Sequence, residues 1–183
     1  RNPAARYKPS DFVFSAPITT ASIVLMVRNG FAVNTMDEFL DYARAQKDKP
    51  LTYASVGIDS LYHLMGDALA ARLKLPFLHV PYKGAAPALQ DLAGGQVDFA
   101  ILAYQTSFDG MQEQGRLKIV SSFSKDMAPG LKHIAPITQS KQIPDFVHEI
   151  GGGYFMRKDT PADRVAALRK AIGEAVVKPE IRG

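Results

Sequence analysis

The chain has 183 residues, 46% hydrophobic and 22% charged, with 22 basic against 18 acidic side chains and a net charge of +4. A chain of this size buries on the order of 70% of its unfolded surface, so it supports a real core, and its composition excludes disordered, collagen-like and mucin-like chains. It has no cysteine, which removes disulfide frameworks, thiolate zinc sites and cysteine nucleophiles. The basic residues are scattered and form no arginine stripe of the kind that grips nucleic acid.

In chain order, Ala21 to Val27 is β-branched and apolar and reads as a buried strand, ended by Arg28-Asn29-Gly30. Thr35 and Glu38 have the spacing of a capping box, and Met36, Phe39, Leu40 and Ala43 follow at helical intervals. Residues 51–54 read as a short strand and 55–60 as a turn. Leu61, Leu64, Met65, Ala68 and Leu69 then predict the apolar face of a second helix. Residues 77–80 predict a strand, Pro81-Tyr82-Lys83-Gly84 a loop, and Pro87 the first turn of a helix closed by Gly94-Gly95, with Leu89, Leu92 and Ala93 inward. Strands are expected at 97–103 and 117–123, with a short helix from Ser107 to Gln114 between them.

Periodicity fades over residues 125–150, where Pro129, Gly130, Pro136 and Pro144 predict a long irregular connection. A strand at 154–156 follows. A last helix is expected with Thr160 as cap, Pro161 at its first position, and an apolar face of Val165, Leu168, Ile172, Ala175 and Val176.

The alternation of strand and helix over residues 21–123 predicts an α/β fold with a mainly parallel sheet. Ligands of such sheets sit beyond the carboxyl ends of the strands, which singles out three loops. In residues 55–60, Ser55, Gly57, Asp59 and Ser60 either present amides at a helix start to an anion or cap the helix without a ligand. In residues 81–84, Tyr82 offers a hydroxyl, Lys83 a charge and Gly84 an open helix start; the alternative is a plain turn with a solvated lysine. In residues 104–107, Tyr104 and Thr106 can hydrogen-bond a ligand, or Thr106 or Ser107 can cap the next helix. The four histidines have no metal-ligand spacing: His63 can face the first loop, and His79, in a strand, reads as structural. No nucleophile elbow, dinucleotide fingerprint or P-loop occurs.

Three segments together resemble one family: Tyr53-Ala54-Ser55-x-Gly57-x-x-Ser60-x-x-His63-Leu64, His79-Val80-Pro81-Tyr82-Lys83-Gly84-x-x-Pro87-Ala88-Leu89, and Asp91-Leu92-x-Gly94-Gly95-Gln96-Val97-Asp98. They are similar to the Bug-type extracytoplasmic receptors of tripartite tricarboxylate transporters. The resemblance implies a type II periplasmic-binding-protein-like fold, present as one complete lobe plus part of the second. Residues 1–28 would be part of lobe 1, 29–124 the complete lobe 2, and 125–183 the return to lobe 1, with hinge strands near 21–28 and 117–124.

The resemblance also implies a periplasmic, non-enzymatic receptor that captures a small carboxylate in the cleft between two lobes and hands it to membrane permease subunits. It implies no cofactor, metal or nucleic acid. Ser55, Gly57 and Ser60 carry over as carboxylate-binding positions, His63 as support for that loop, and Tyr82, Lys83 and Gly84 as signature positions.

Two departures stand out. Asp59 occupies a position where the family usually has glycine, which implies either a ligand carrying a donor or a capping role. The chain also lacks the family's initial strand, its first-lobe glycine-rich loop and its C-terminal end, so it is expected to be truncated and to hide exposed lobe-1 surface in a homodimer. The competing expectations are the effector-binding domain of a transcription regulator and an enzyme built on the same fold.

Overall fold

The computed structural model describes residues 6–46, 48–127 and 131–178. Its fold is mixed α/β, and its central element is the apolar run Ile23 to Val27, every residue of which is fully buried. This run lies in strand β1 (Phe12–Arg28). Strand β2 (Leu51–Ser55) is followed by β3 (Phe77–Pro81), β4 (Phe99–Ala103), β5 (Leu117–Ser122) and β6 (Glu149–Arg157). The sheet order is β3-β2-β4-β1-β5, and β6 also pairs with β1. Helices α1 (Met36–Ala45), α2 (Leu61–Leu73), α3 (Ala85–Ala93), α4 (Ser107–Glu113) and α5 (Ala162–Val176) fall between the strands and after β6.

The sheet is less parallel than expected. β2 runs parallel to β3 and β4, with Tyr53 opposite both His79 and Phe99. β1 runs antiparallel to β4 and to β5, with a register shift between Leu25 and Met26. A crossover helix forces parallel direction only on strands that it joins, and β1 pairs with strands far from it in sequence. β1 is also much longer than the predicted 21–27, and the extra residues Phe12 to Thr20 include Pro17 and are mostly exposed. An exposed stretch interrupted by proline lacks the apolar signature of a buried strand.

The chain divides into two units. Residues 21–149 form the larger; the described parts of 1–20 and 150–183 form the smaller. The lobe boundaries expected at 28/29 and 124/125 both fall inside the larger unit. Side chains join residues 131–149 to that unit. Leu131, Ile134, Ile137 and Ile143 are buried, and Ser122 bridges to Pro136. Asp37 of α1 accepts from the Ser140 hydroxyl at 2.5 Å, the Lys141 amide at 2.9 Å and the Gln142 amide at 3.4 Å. Arg72 of α2 grips Asp145 with bonds of 2.8 and 2.9 Å. The irregular connection is thus fastened to the larger unit by side chains that leave no periodic signature. Pro129 and Gly130 lie outside the described residues.

Most local signals hold. Thr35 Oγ1 accepts from the Glu38 amide at 3.2 Å, and Glu38 reaches back to the Asn34 amide at 2.6 Å, one residue beyond the expected donor. The four predicted core residues of α1 are all buried. The face of α2 differs: Met65, Gly66 and Leu69 are buried, whereas Leu61 and Leu64 are 44% and 53% exposed. The helix is turned so that Gly66 lies on the Tyr53 ring. A Cβ there would stand 2.3 Å from Tyr53 Cε2, so only glycine allows this approach. In α5 the helix begins at Ala162 with Pro161 in the cap position, one residue later than expected, and Val165 and Ile172 are buried.

In the smaller unit, Arg169 of α5 donates to the carbonyls of Ser15 and Phe14, both at 2.9 Å. Phe14 packs edge-on against Phe155 with ring centroids 5.2 Å apart.

Candidate functional site

Because β2, β3 and β4 are parallel neighbours, their carboxyl ends share one edge of the sheet, and the three singled-out loops leave from it. The Tyr82 amide donates to the Ser55 carbonyl at 2.9 Å, joining the second loop to the first. The Tyr104 amide donates to Ser22 of β1 at 2.8 Å, which ties in the third. Beyond it, Ser124 Oγ donates to Ser22 Oγ at 3.0 Å.

The first loop is built from within. Ser55 is fully buried. Its hydroxyl donates to the Gly57 carbonyl at 3.1 Å and accepts from the Gly57 amide at 3.2 Å. Gly57 has φ of 134°, which is why glycine stands there. Asp59 also has positive φ, 61°. Aspartate is among the few non-glycine residues that enter this region at modest cost, which reconciles it with a position where the resemblance implies glycine. Ser60, not Asp59, caps α2, its hydroxyl accepting from the His63 amide at 3.2 Å. The Asp59 carboxylate is exposed at the rim. The amides of Leu61 and Tyr62, in the first turn, have no intrahelical partner and stand at the positive end of the helix dipole.

Behind the loop lies an aromatic stack. The His63 ring lies on the His79 ring, centroids 3.9 Å apart and planes 17° from parallel. His79 packs in turn on Tyr53 at 4.9 Å. His63 Nδ1 accepts from the Asp59 amide at 3.1 Å, and His63 Nε2 lies 3.4 Å from Asp67 Oδ2. His79 Nε2 is 2.7 Å from Ser55 Oγ. The Tyr53 hydroxyl lies 3.0 Å from Asp67 Oδ1 and 3.1 Å from the His63 carbonyl. Burial, followed by the bond to Asp67 and that residue's charge, raises the Tyr53 pKa far above the ordinary phenol range. Burial and the neighbouring His63 lower that of His79, against an opposing pull from Asp67.

The other two loops spend their hydroxyls internally. Tyr82 donates to Asp91 of α3 at 2.7 Å, and burial with that bond pushes its pKa up to about 12. Tyr104 donates to Asp109 of α4 at 2.5 Å, with its pKa likewise pushed up to about 12 by burial and the Asp109 bond. Both rings pack against the core. Lys83 is exposed and has no acidic partner among the described residues. Gly84 is the cap residue of α3 and supplies no side-chain cap. Thr106 precedes α4 and is exposed, but its side chain makes no capping bond, so neither expected cap of that helix forms.

The structure therefore gathers Ser55, Gly57, Asp59, Ser60 and His63 into one loop-and-cap assembly and sets Tyr82, Lys83 and Gly84 beside it. It puts Tyr104 and Thr106 on the same edge, across β4. Sequence reasoning missed three contributors. His79 buttresses the loop, Asp67 faces His63, and Asp91 anchors Tyr82. The register that puts His79 beside Tyr53 was the missing information. A separate concavity of about 580 Å³, lined by Arg28, Phe31, Asn34, Gln112 and Lys118, lies at the opposite edge, away from all three loops. Among the described residues no group of three or more metal-ligating side chains occurs.

The sequence matches, over residues 5–183, the family described as Tripartite tricarboxylate transporter family receptor (TctC). It is 31% identical over 171 residues to the UPF0065 protein in the tcbD-tcbE intergenic region of Pseudomonas sp. (strain P51), a match covering 93% of this chain and 50% of that protein. Two solved structures are similar along nearly the whole chain. MatC from Rhodopseudomonas palustris with bound malate superposes with a TM-score of 0.81 at 26% identity, covering 99% of this chain and 61% of that one. The periplasmic binding protein BugD superposes with a TM-score of 0.80 at 27% identity, covering 96% of this chain and 58% of that one. The chain thus spans about half the length of that Pseudomonas relative.

Proposed function

The chain belongs to the receptor family of tripartite tricarboxylate transporters, and from that premise we propose that it is part of a periplasmic receptor. In this reading it captures a small carboxylate and passes it to membrane permease subunits. The family is a class of binding receptors rather than of enzymes, and we extend that to this chain: the ligand is held and released without a chemical step. Among the described residues no helix is long and apolar enough to cross a membrane. The regulator alternative draws no support from the comparisons.

One observation carries the reading. The Tyr82-to-Ser55 bond joins two of the family-like motifs at the carboxyl edge of the parallel strands, beside the start of α2. Unpaired amides at a helix start favour a carboxylate by charge and geometry. Ser55, Gly57 and Ser60 shape this receptor loop. Lys83 supplies an unpaired positive charge beside it, and Asp59 marks the rim where a donor group of the ligand would lie.

The test is a thermal-shift screen of mono- and dicarboxylates, malate included, on the longest chain that the reading frame encodes. A ligand present at about a hundredfold its Kd stabilises by about 2.7 kcal/mol, which a melting curve resolves easily. A panel in which no carboxylate raises the melting temperature overturns the reading.

Self-association is a further part of the proposal. In the smaller unit Tyr7, Phe14, Tyr154 and Phe155 are 64%, 46%, 53% and 62% exposed. Such aromatic exposure favours a dimer of this chain. Light scattering that returns a monomer mass at high concentration would remove this part alone.

A further inference from the structure

His63 and His79 both hydrogen-bond the 55–60 loop through a ring nitrogen. A ring nitrogen that accepts is bare, so His63 Nδ1, which receives the Asp59 amide at 3.1 Å, carries no proton. The proton of the neutral ring then sits on Nε2, facing Asp67. Ser55 Oγ spends its single proton on the Gly57 carbonyl and accepts from the Gly57 amide. We take its second lone pair to receive His79 Nε2–H across 2.7 Å. In this arrangement both rings are neutral and both are full partners of the 55–60 loop. His63 holds Asp59 at its positive φ, and His79, through Ser55, holds Gly57 at its own.

We propose that His63 and His79 are positioning residues for ligand binding: a neutral, stacked imidazole pair that keeps the 55–60 loop in its receiving shape and releases it when the pair takes up a proton. The inference rests on the reading of that loop as the carboxylate-binding element. A proton on His63 Nδ1 turns an acceptor toward a donor, and the Asp59 amide loses its partner. A proton on His79 puts a charge against a ring only 3.9 Å away.

The groups facing the pair are few. They are Tyr53 from β2, Asp67 from within α2 and Asp59 from the loop, each ring also facing the other. Burial and the stacked His63 disfavour charge on His79, and Asp67 opposes them. The sign follows for His79. A base whose folded pKa lies below its ordinary value of 6.5 contributes stability above that value and loses it as the pH falls.

The test has two arms, both on the longest chain that the reading frame encodes. Without ligand, nuclear magnetic resonance of the imidazole nitrogens and of the Asp59 amide is followed from about pH 8 to about pH 5, the range over which histidine titrates. The expected result is His63 bare at Nδ1 and His79 protonated at Nε2 at the upper end. The Asp59 protection factor should then fall as the pair takes up its proton, while the far-ultraviolet dichroism holds.

His63→Asn offers an amide oxygen where Nδ1 stood and takes up no proton. It should keep the protection and flatten its pH profile. If that variant does not fold, His79→Gln, which retains a donor to Ser55 but removes the ring stacked on His63, should shift the pH at which the Asp59 protection falls. Protection that does not change across the range, or a variant with the wild-type profile, overturns the proposal.

The second arm measures the thermal shift given by malate and a carboxylate panel over the same range. Stabilisation that fades toward acid in the wild type but not in His63→Asn supports the proposal. If no carboxylate stabilises at any pH while the resonance profile runs as expected, the histidine pair stands as the holder of the loop and the carboxylate reading falls.

Discussion

The two edges of the sheet in the larger unit both carry polar clusters, and they differ in what is left over. At the amino end of β2 and β4, Asp98 is consumed. It takes the Thr52 amide at 2.9 Å, the Thr52 hydroxyl at 3.0 Å and Arg28 Nε at 3.1 Å, and its own amide donates back to Thr52. Arg28 also lies over the Phe31 ring at 4.6 Å. At the carboxyl end, Ser55 and the histidines are equally well bonded, but their bonds hold two positive-φ residues and, among the described residues, leave a helix start, Lys83 and the Asp59 carboxylate without partners. A cluster that satisfies every member is a clamp. One that spends its bonds on holding unpaired groups in place is what the proposed receptor reading requires. Each cluster draws on the family-like motifs, the first through Asp98 and the second through Ser55, His63 and His79, so motif membership alone does not separate them.

Substitutions at the two edges sharpen this contrast. The largest effect belongs to Asp98→Ala, which strands Arg28 and two Thr52 donors. We expect about 3 kcal/mol less stability in denaturant titration, with carboxylate affinity unchanged once the protein is folded. A loss of affinity there would erase the distinction between the edges. Gly57→Ala comes next. The added methyl meets only ordinary contact, 3.9 Å from the Tyr82 carbonyl, so the cost is the strain of φ at 134°. About 2 kcal/mol is expected, and calorimetry should show the loss of ligand binding that Asp98→Ala lacks.

Ser60→Ala removes the cap of α2 and should cost about 1 kcal/mol in thermal melting. The smallest effect lies outside both edges, at Asp37. Burial raises its carboxyl pKa, but the Ser140 hydroxyl and the amides of Lys141 and Gln142 outweigh this and hold it below the ordinary value of 3.8. That contribution is present above the ordinary value and is lost as the pH falls through the folded one. Asp37→Asn should therefore cost about 1 kcal/mol near neutrality and less in acid, read from denaturation midpoints at several pH values.

Much of the fold was legible because its signals are local. The capping pair of Thr35 and Glu38, the apolar run in β1, and the spacing of Met36, Phe39, Leu40 and Ala43 each reside within a few residues. So does the stop after α4 at Gly115, whose φ is 65°. The candidate site was legible as three loops because parallel strands place their carboxyl ends together. Its internal wiring was not. Whether Tyr82 and Tyr104 face a ligand or an aspartate depends on Asp91 and Asp109, one helix turn or more away, and on the angle at which α3 and α4 lie on the sheet. The face of α2 was misread for the same reason. Leucines at the right intervals predict an inward stripe, but Tyr53 on a neighbouring strand admits only Gly66 beneath it and turns the helix.

The sequence by itself determined the α/β alternation, most strand and helix positions and the three loops, since propensity, periodicity and turn chemistry act over short stretches of chain. Tertiary structure alone decided the antiparallel direction of β1, the attachment of residues 131–149 to the larger unit and the stacking of His63 on His79. Each of these joins residues distant in sequence, and their register is set by how whole elements pack, which no local pattern encodes.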